Sequence, residues 1–199
     1  MTSLKELVDE TGQFDYNALK RFAKGQDQVT FVRLVSEMVL VGSGLYRGWL
    51  LGDGNKEVDA IMKETALFQP EERRQKATQF KVLETYIFPL ISIKQHNMEP
   101  KERNIHVITI GRSKKCDIIL ADPSISSTHA EFRMDKGEGT SGPACFVRDL
   151  GSSNGVFVNG SRLAPFWTKD LAIGDEIRLS RFSIILSRSS DIYPKLKFG

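Results

Sequence analysis

Two short polar runs in this sequence carry the side chains best suited to chemistry. SISSTHAEF, at 124–132, places four hydroxyl groups within five residues of His129, and GSSNG, at 151–155, contains the G-x-S-x-G pattern of a nucleophile elbow. Hydroxyls beside a histidine can form a nucleophile with its base, contribute to a metal site or donate hydrogen bonds to a phosphate group. The fold around these two runs decides which of these chemistries is available.

A hydrolase would use Ser153 or Ser126 as its nucleophile. The elbow needs a strand that leads into a helix, with the acid and then the histidine further along the chain. No histidine follows His129, and a β-hairpin is predicted directly after the GSSNG run. Ser126 with His129 shows no orienting acid and no oxyanion donors at the level of sequence. We therefore rank a hydrolase last among three candidate functions.

Arg148-Asp149-Leu150, followed by Asn154, matches the R-D-L-x-x-x-N pattern of a protein-kinase catalytic loop. No D-F-G motif follows it, and 199 residues are too few for the two lobes that this phosphoryl-transfer machinery requires. The pattern is attributed to turn residues. The sequence therefore predicts no enzymatic activity.

Composition and charge exclude several other classes. Cys116 and Cys145 lie far apart and the three histidines show no H-E-x-x-H spacing, so neither a metal nor a cofactor is predicted. A net charge of +3 is too small to indicate nucleic-acid binding. The longest apolar stretch is interrupted by Arg33 and Glu37, and it is shorter than the roughly 20 residues that cross a bilayer. No export signal is visible, so we expect a cytoplasmic protein without membrane insertion.

Hydrophobic periodicity divides the chain into three parts. Residues 1–83 are predicted to be a mainly helical region of unknown function, because apolar side chains recur there at near-helical spacing. Residues 84–190 contain short β-branched and aromatic runs between turn residues, which predicts an antiparallel β-sandwich. Residues 191–199 are predicted to be a C-terminal tail. The expected fold class is α+β. The helical stripes are Phe14, Leu19 and Phe22; Phe31, Leu34, Val35 and Met38; and Val58, Ile61, Met62 and Thr65.

Local signals place individual turns and helix ends. A capping box at 3–6 predicts a first short helix, and Pro70 marks a later helix start. The Gly-Ser-Gly within 38–54 predicts a hairpin, and Asn159-Gly160 predicts a tighter one, because both of its residues accept a positive φ. Pro89 has no N–H to donate, which predicts an edge strand or a bulge.

Four motifs then stand in order along the predicted sandwich. They are Gly111-Arg112, the S-x-x-H set at 126–129, the S-N-G turn at 153–155 and Asn159-Gly160. Together, with their spacing, they resemble the forkhead-associated (FHA) domain over roughly residues 85–187. The resemblance implies a sandwich of about eleven strands whose loops at one end bind phosphothreonine peptides.

The resemblance also implies roles for individual residues. Arg112 would grip the phosphate, because a guanidinium keeps its charge and can bind two oxygens at once. Ser126, Ser127 and Ser153 would donate hydroxyl or backbone N–H groups to the phosphate. Asn154 would clamp the backbone of the peptide with its side-chain amide.

Three further residues would support the site. Gly111 and Gly155 would let the backbone turn sharply, and His129 would hydrogen-bond between loops instead of transferring protons. Ser127 stands where many relatives carry Arg or Asn, so one contact to the peptide is expected to be weaker. Ser124 is neutral where some relatives carry a charge, which leaves the sequence preference of the site open.

The leading function is a non-enzymatic signalling adaptor that binds phosphothreonine downstream of a Ser/Thr protein kinase. Its partners would be a phosphorylated protein and the kinase. The alternative is a structural assembly or oligomerisation protein, with phosphate-independent contacts by the sandwich and self-association through the N-terminal region. Arg112 with Ser126 favours the adaptor, because a purely structural sandwich has no need of a cation beside hydroxyls.

Overall fold

The computed structural model describes residues 4–42, 86–91, 105–137 and 142–199. Within these ranges, eleven strands form two sheets, which confirms the predicted sandwich and its helical N-terminal addition. The strands are β1 (Met38–Gly42), β2 (Tyr86–Pro89), β3 (Ile105–Gly111), β4 (Ile118–Ile119), β5 (Ala130–Asp135), β6 (Ala144–Asp149), β7 (Val156–Val158), β8 (Ser161–Arg162), β9 (Thr168–Leu171), β10 (Glu176–Leu179) and β11 (Phe182–Arg188).

One sheet has six strands in the order β2-β1-β11-β10-β7-β8, and the other has five in the order β4-β3-β5-β6-β9. Neighbouring strands are antiparallel except β3 and β4. Alternate residues of each strand face inward, and the side chains of Leu40, Phe88, Phe132 and Leu186 are fully buried between the sheets. This core fixes the register of the strands and therefore the positions of the loops that connect them.

Two of the local signals, the hairpin at Asn159-Gly160 and the edge strand at Pro89, are present in the structure. Asn159 and Gly160 have φ values of 50° and 79° and connect β7 to β8, where Val158 pairs with Ser161. Pro89 lies in β2, which is an edge strand of the six-stranded sheet and so tolerates a residue without an N–H.

The helices are α1 (Tyr16–Gly25), α2 (Gln28–Val35) and α3 (Ser189–Phe198), with a short 3-10 helix at Leu4–Glu6. Asp15 and Asp27 cap α1 and α2, because their carboxylates accept the backbone N–H groups of Ala18 and Thr30 at 2.6 and 2.9 Å. The hydrogen bond from Thr30 lowers the pKa of Asp27. None of the described helices is long and apolar enough to cross a membrane.

These three helices form a helical layer on the outer face of β1 and β2. Val39 and Ile87 point outward from those strands, into a second apolar cluster that is separate from the core of the sandwich. The rings of Phe31 and Tyr193 have centroids 5.2 Å apart and join α2 to α3. Because β1 and β2 are covered on both faces, their burial is nearly continuous rather than alternating. The members of the second cluster are Leu7, Phe14, Leu19, Ala23, Phe31, Val35, Val39, Ile87, Ile192, Tyr193 and Leu196.

The division at residues 83 and 190 stays a prediction, and the structure adds contacts across both points. β1 comes from the predicted helical region but pairs with β11, where Leu40 lies opposite Leu186. The N–H of Ile119 donates to the carbonyl of Thr11 at 2.9 Å, which ties the N-terminal segment to β4. α3, at Ser189–Phe198, begins two residues before the predicted tail of 191–199 and covers all of that tail except its last residue.

Several predicted features lie outside the described residues. They are the serine of the capping box at residue 3, the second arm of the hairpin within 38–54, the apolar stripe at 58–65 and the helix start at Pro70.

Candidate functional site

Three loops meet at one end of the sandwich. They are residues 112–117 between β3 and β4, residues 120–129 between β4 and β5, and residues 150–155 between β6 and β7; we call them the site loops. The backbone N–H of Arg112 donates to the carbonyl of Ser126 at 2.9 Å, and that of Ser113 donates to the carbonyl of Ser127 at 3.0 Å. The first two site loops are therefore joined by their backbones.

Gly111 allows this close approach. A β-carbon at this position would lie 2.5 Å from the carbonyl oxygen of Ser127 and 2.9 Å from the Cα of Thr128. Both are backbone atoms that cannot move aside cheaply. A side chain at residue 111 would therefore push the first two site loops apart.

Ser126 and Ser153 bring the second and third site loops together. The backbone N–H of Ser153 donates to the Oγ of Ser126 at 3.0 Å. Since the oxygen acts as the acceptor in this contact, the hydroxyl hydrogen of Ser126 can be donated to another group. Ser126 is half-buried, whereas Ser127 and Ser153 are exposed. The three serines thus lie at the accessible rim of the site loops.

His129 is fully buried and connects the same two loops through its ring. Its Nδ1 accepts the backbone N–H of Ser126 at 3.1 Å, and its Nε2 lies 3.2 Å from the carbonyl oxygen of Gly155. These contacts assign the neutral tautomer with the proton on Nε2. Burial lowers the pKa of His129, against the opposing effects of the Gly155 carbonyl and Asp149. Both ring nitrogens are bonded to the backbone, so the imidazole does not serve as a base for Ser126.

Asn154 and Arg112 both donate hydrogen bonds to the backbone of the second site loop. The Nδ2 of Asn154 donates to the carbonyl of Ser124 at 2.8 Å, and the Nε of Arg112 donates to the carbonyl of Ile125 at 3.0 Å. Only 2% of Arg112 is exposed, although the resemblance implies that this side chain grips the phosphate. Burial lowers the pKa of Arg112, and the nearby carboxylate of Asp122 opposes that effect.

The site loops thus place a guanidinium, serine hydroxyls, a side-chain amide and backbone N–H groups within one small region. A sequence profile of the FHA domain matches residues 108–180, which include all three site loops. Residues 108–180 form an FHA domain.

Curated proteins with related sequences include the DNA damage response protein kinase DUN1 of Saccharomyces cerevisiae, which is 33% identical over 133 residues. That match covers 63% of this chain and 25% of the kinase. An oxoglutarate dehydrogenase inhibitor of Corynebacterium efficiens is 39% identical over 77 residues, covering 39% of this chain and 48% of the inhibitor. The chain therefore spans between a quarter and about half of the length of these relatives.

Among solved structures, the MEK1 FHA domain in complex with a phosphothreonine peptide of HOP1 aligns with a TM-score of 0.41 and 29% identity. The alignment covers 52% of this chain and 88% of that chain.

The sequence did not reveal Asp122, which organises the second site loop of the FHA domain from inside. Its carboxylate accepts the backbone N–H of Ser124 at 2.8 Å and also the Ser124 hydroxyl. It forms an ion pair with Arg181, which lies in the turn between β10 and β11, and it lies near Arg112. Asp122 is fully buried, and its negative charge offsets part of the positive charge of Arg112 and Arg181. An Asp-Pro pair in a turn was the only local signal for it.

Asp149 has the same kind of role in the third site loop. It is 1% exposed, and its carboxylate accepts the backbone N–H of Ser152 at 2.8 Å. This contact fixes the turn that leads to Ser153 and Asn154. The aspartate of the kinase-like pattern is therefore a structural acceptor within the FHA domain.

The described residues contain no group of three or more histidine, cysteine or acidic side chains that could hold a metal ion. A groove of about 520 Å³ beside α2 is lined by residues such as Val32 and Ile91 and does not include the site loops.

Proposed function

We propose that this protein binds phosphothreonine-containing segments of other proteins at the site loops. It would act as a non-enzymatic, cytoplasmic signalling adaptor downstream of a Ser/Thr protein kinase, and that kinase and its substrate would be the partners. The observation that carries the proposal is the meeting of the nearly buried Arg112 guanidinium with hydroxyl, amide and backbone donors of the site loops, whose serines lie at an accessible rim of an FHA domain.

The proposed ligand suits these donors. A phosphothreonine carries a charge of about −1.5 to −2 near neutral pH and three acceptor oxygens. Arg112 supplies a permanent cation, and Ser126, Ser127 and Ser153 supply hydroxyl and N–H donors. Asn154 would contact the backbone of the peptide. Two or three charge-assisted hydrogen bonds, reduced by ordering costs, give an expected affinity in the micromolar range.

Gly111, His129 and Gly155 would act as supports. The close approach at Gly111 and the two backbone bonds of His129 hold the serines at fixed positions. Because Arg112 is anchored on Ile125 and nearly buried, a phosphate would meet the edge of a guanidinium that is already in place. Such preorganisation reduces the entropy lost on binding.

The relatives support a regulatory role. One is named as a DNA damage response protein kinase and another as an inhibitor of oxoglutarate dehydrogenase. Both names describe proteins of regulated pathways, which is where an adaptor that reads phosphorylation would operate.

The test compares two immobilised peptide mixtures with random flanking residues, one with a fixed phosphothreonine and one with threonine in its place. We expect the protein to be retained on the first mixture only. Arg112→Ala should weaken that binding at least about tenfold, or roughly 1.4 kcal/mol, whereas the matched variant Arg133→Ala, on the exposed side of β5, should bind like the wild type.

Since Arg112 is buried, its replacement can also disturb folding. Ser126→Ala provides a second variant, because it removes one hydroxyl from a half-buried position. Equal retention of the wild-type protein on both mixtures would reject the proposed function.

A further inference from the structure

An apolar turn protrudes between β8 and β9. Residues 164–167, Ala-Pro-Phe-Trp, are exposed in succession, and the exposed fractions of Phe166 and Trp167 reach 61% and 70%. Four consecutive exposed apolar residues lower the solubility of a protein, and such runs are usually found only where they have a function. Such a surface typically marks a contact site.

This turn is rigidly held. The N–H of Phe166 donates to the carbonyl of Asp149 at 2.9 Å, and the N–H of Trp167 donates to the carbonyl of Ala164 at 3.1 Å. The Nε of Arg148 donates to the carbonyl of Phe166 at 3.2 Å. Phe166 also has a φ of 66°, a left-handed conformation that is unfavourable for a bulky residue. The backbone is therefore strained at a position where two neighbouring aromatic side chains are exposed to solvent.

The Phe166 ring lies beside the third site loop. A β-carbon on Gly151 would be 2.7 Å from the Cζ of Phe166, so this ring covers the backbone of Gly151. Gly151 begins the turn that carries Ser153 and Asn154. Because Gly151 is only two residues from Ser153, and an extended peptide advances about 3.3 Å per residue, we expect the aromatic turn to lie within reach of residues that flank the phosphothreonine.

We propose that Phe166 and Trp167 form an apolar subsite for an aliphatic or aromatic side chain of the bound phosphothreonine peptide. This inference rests on the proposed function, and it adds a preference that the phosphate contacts cannot provide. Rigid aromatic rings bury a large area at a small cost in conformational entropy. The turn is continuous with the site loops through Gly151 and through the backbone bond between Phe166 and Asp149.

The surrounding charges favour a phosphopeptide over a second copy of this chain. Arg148 is exposed and bonded to the turn itself, and exposed Arg162 lies against Gly155, where a β-carbon would be 2.6 Å from its Nε. A phosphorylated peptide complements these cations. Two identical basic surfaces would repel each other.

The test uses an alanine-based phosphothreonine peptide into which a single leucine is introduced at each flanking position in turn. For the wild-type protein, leucine at one or two positions should tighten binding at least about fivefold. Phe166→Gly and Trp167→Ala should both abolish this gain, and Trp167→Ala should leave the affinity for the leucine-free peptide unchanged. Glycine accepts the φ of residue 166 without strain, so the turn should persist in the first variant.

Phe198→Ala is the matched control, because Phe198 is 80% exposed at the end of α3 and distant in sequence from the site loops. It should retain the full gain from leucine. A gain that persists in both turn variants, or no gain at any position in a protein that still distinguishes phosphothreonine from threonine, would overturn the inference and leave the proposed function standing. A wild-type protein that binds phosphorylated and unphosphorylated peptides equally would remove both.

Discussion

The site loops and the helical layer are held together by different forces. In the site loops, buried polar groups such as Asp122, His129 and Asp149 accept hydrogen bonds from backbone N–H groups of the loops. In the helical layer, apolar side chains from three helices pack on the outer face of β1 and β2. Hydrogen bonds fix geometry with a modest net stability, whereas apolar burial provides most of the stability. We therefore expect stability and ligand binding to respond to different substitutions.

Phe31→Ala should give the largest change in stability without a change in ligand binding. The Phe31 ring is fully buried between α2 and α3, so its loss should lower the free energy of unfolding by about 3–5 kcal/mol. The affinity of the folded fraction for the phosphothreonine mixture should stay unchanged, because the helical layer lies on a different surface. Urea unfolding and binding at a temperature below the melting transition measure the two quantities.

Val29→Ala controls for the change of a side chain in α2, since Val29 is 78% exposed and should affect neither quantity. If Phe31→Ala proves too unstable to purify, Phe31→Leu should give a smaller loss of the same kind. A parallel loss of affinity in the folded fraction would show that the helical layer supports the site loops directly.

Lowering the pH should reduce the free energy of unfolding through His129, which lies in the site loops. Burial lowers the pKa of His129 below its value of about 6.5 in the unfolded chain, so between the two pKa values the unfolded chain binds more protons. The stability from neutral His129 is therefore fully present above about pH 6.5 and is lost as the pH falls through its folded pKa. Each unit of that pKa difference corresponds to about 1.4 kcal/mol. Protonation would also end the acceptor role of Nδ1 toward Ser126.

Urea unfolding between pH 7.5 and pH 5.5 measures this dependence. His129→Gln should flatten the curve and reduce stability at pH 7.5 by about 1–3 kcal/mol through its lost hydrogen bonds. Burial and Lys136 also lower the pKa of His106, on β3. His106→Gln should therefore remove only the part of the pH dependence that comes from His106 and leave the part that comes from His129. An unchanged slope in His129→Gln would contradict the prediction.

The sandwich was largely predictable because its strands have local signals. β-branched and aromatic runs separated by turn residues identify most of them, and Asn159-Gly160 fixes one hairpin. The pairing of β1 with β11 has no such signal, since Leu40 and Leu186 meet only in the folded chain. α3 was hidden for a related reason. It contains Pro194, which cannot donate to the carbonyl of Ser190, and the Nε2 of Gln28 donates to that oxygen instead at 3.2 Å.

In the candidate site, too, some features have a local sequence signal and others depend on tertiary structure. Short motifs located Gly111, Ser126 and Asn154, since each motif marks a turn with a defined sequence. The burial of Arg112 and its charge balance could not be predicted, because Asp122 and its partner Arg181 are 59 residues apart and come together only through the fold. Exposure of the aromatic turn at 164–167 also depends on tertiary structure.

Ser180, in the turn between β10 and β11, gives the smallest expected effect and tests how a buried hydroxyl without a hydrogen-bond partner differs from one that is bonded. Unlike Ser124, whose hydroxyl bonds to Asp122, Ser180 is 1% exposed and its Oγ has no hydrogen-bond partner among the described residues. It also has a φ of 56°. Ser180→Ala removes the buried hydroxyl and should stabilise the fold by about 1 kcal/mol, and Ser180→Gly should add up to about 1 kcal/mol by relieving strain. Thermal unfolding separates the two variants. Phosphopeptide affinity should stay constant in both, and a loss of affinity would instead assign the Ser180 hydroxyl to the site.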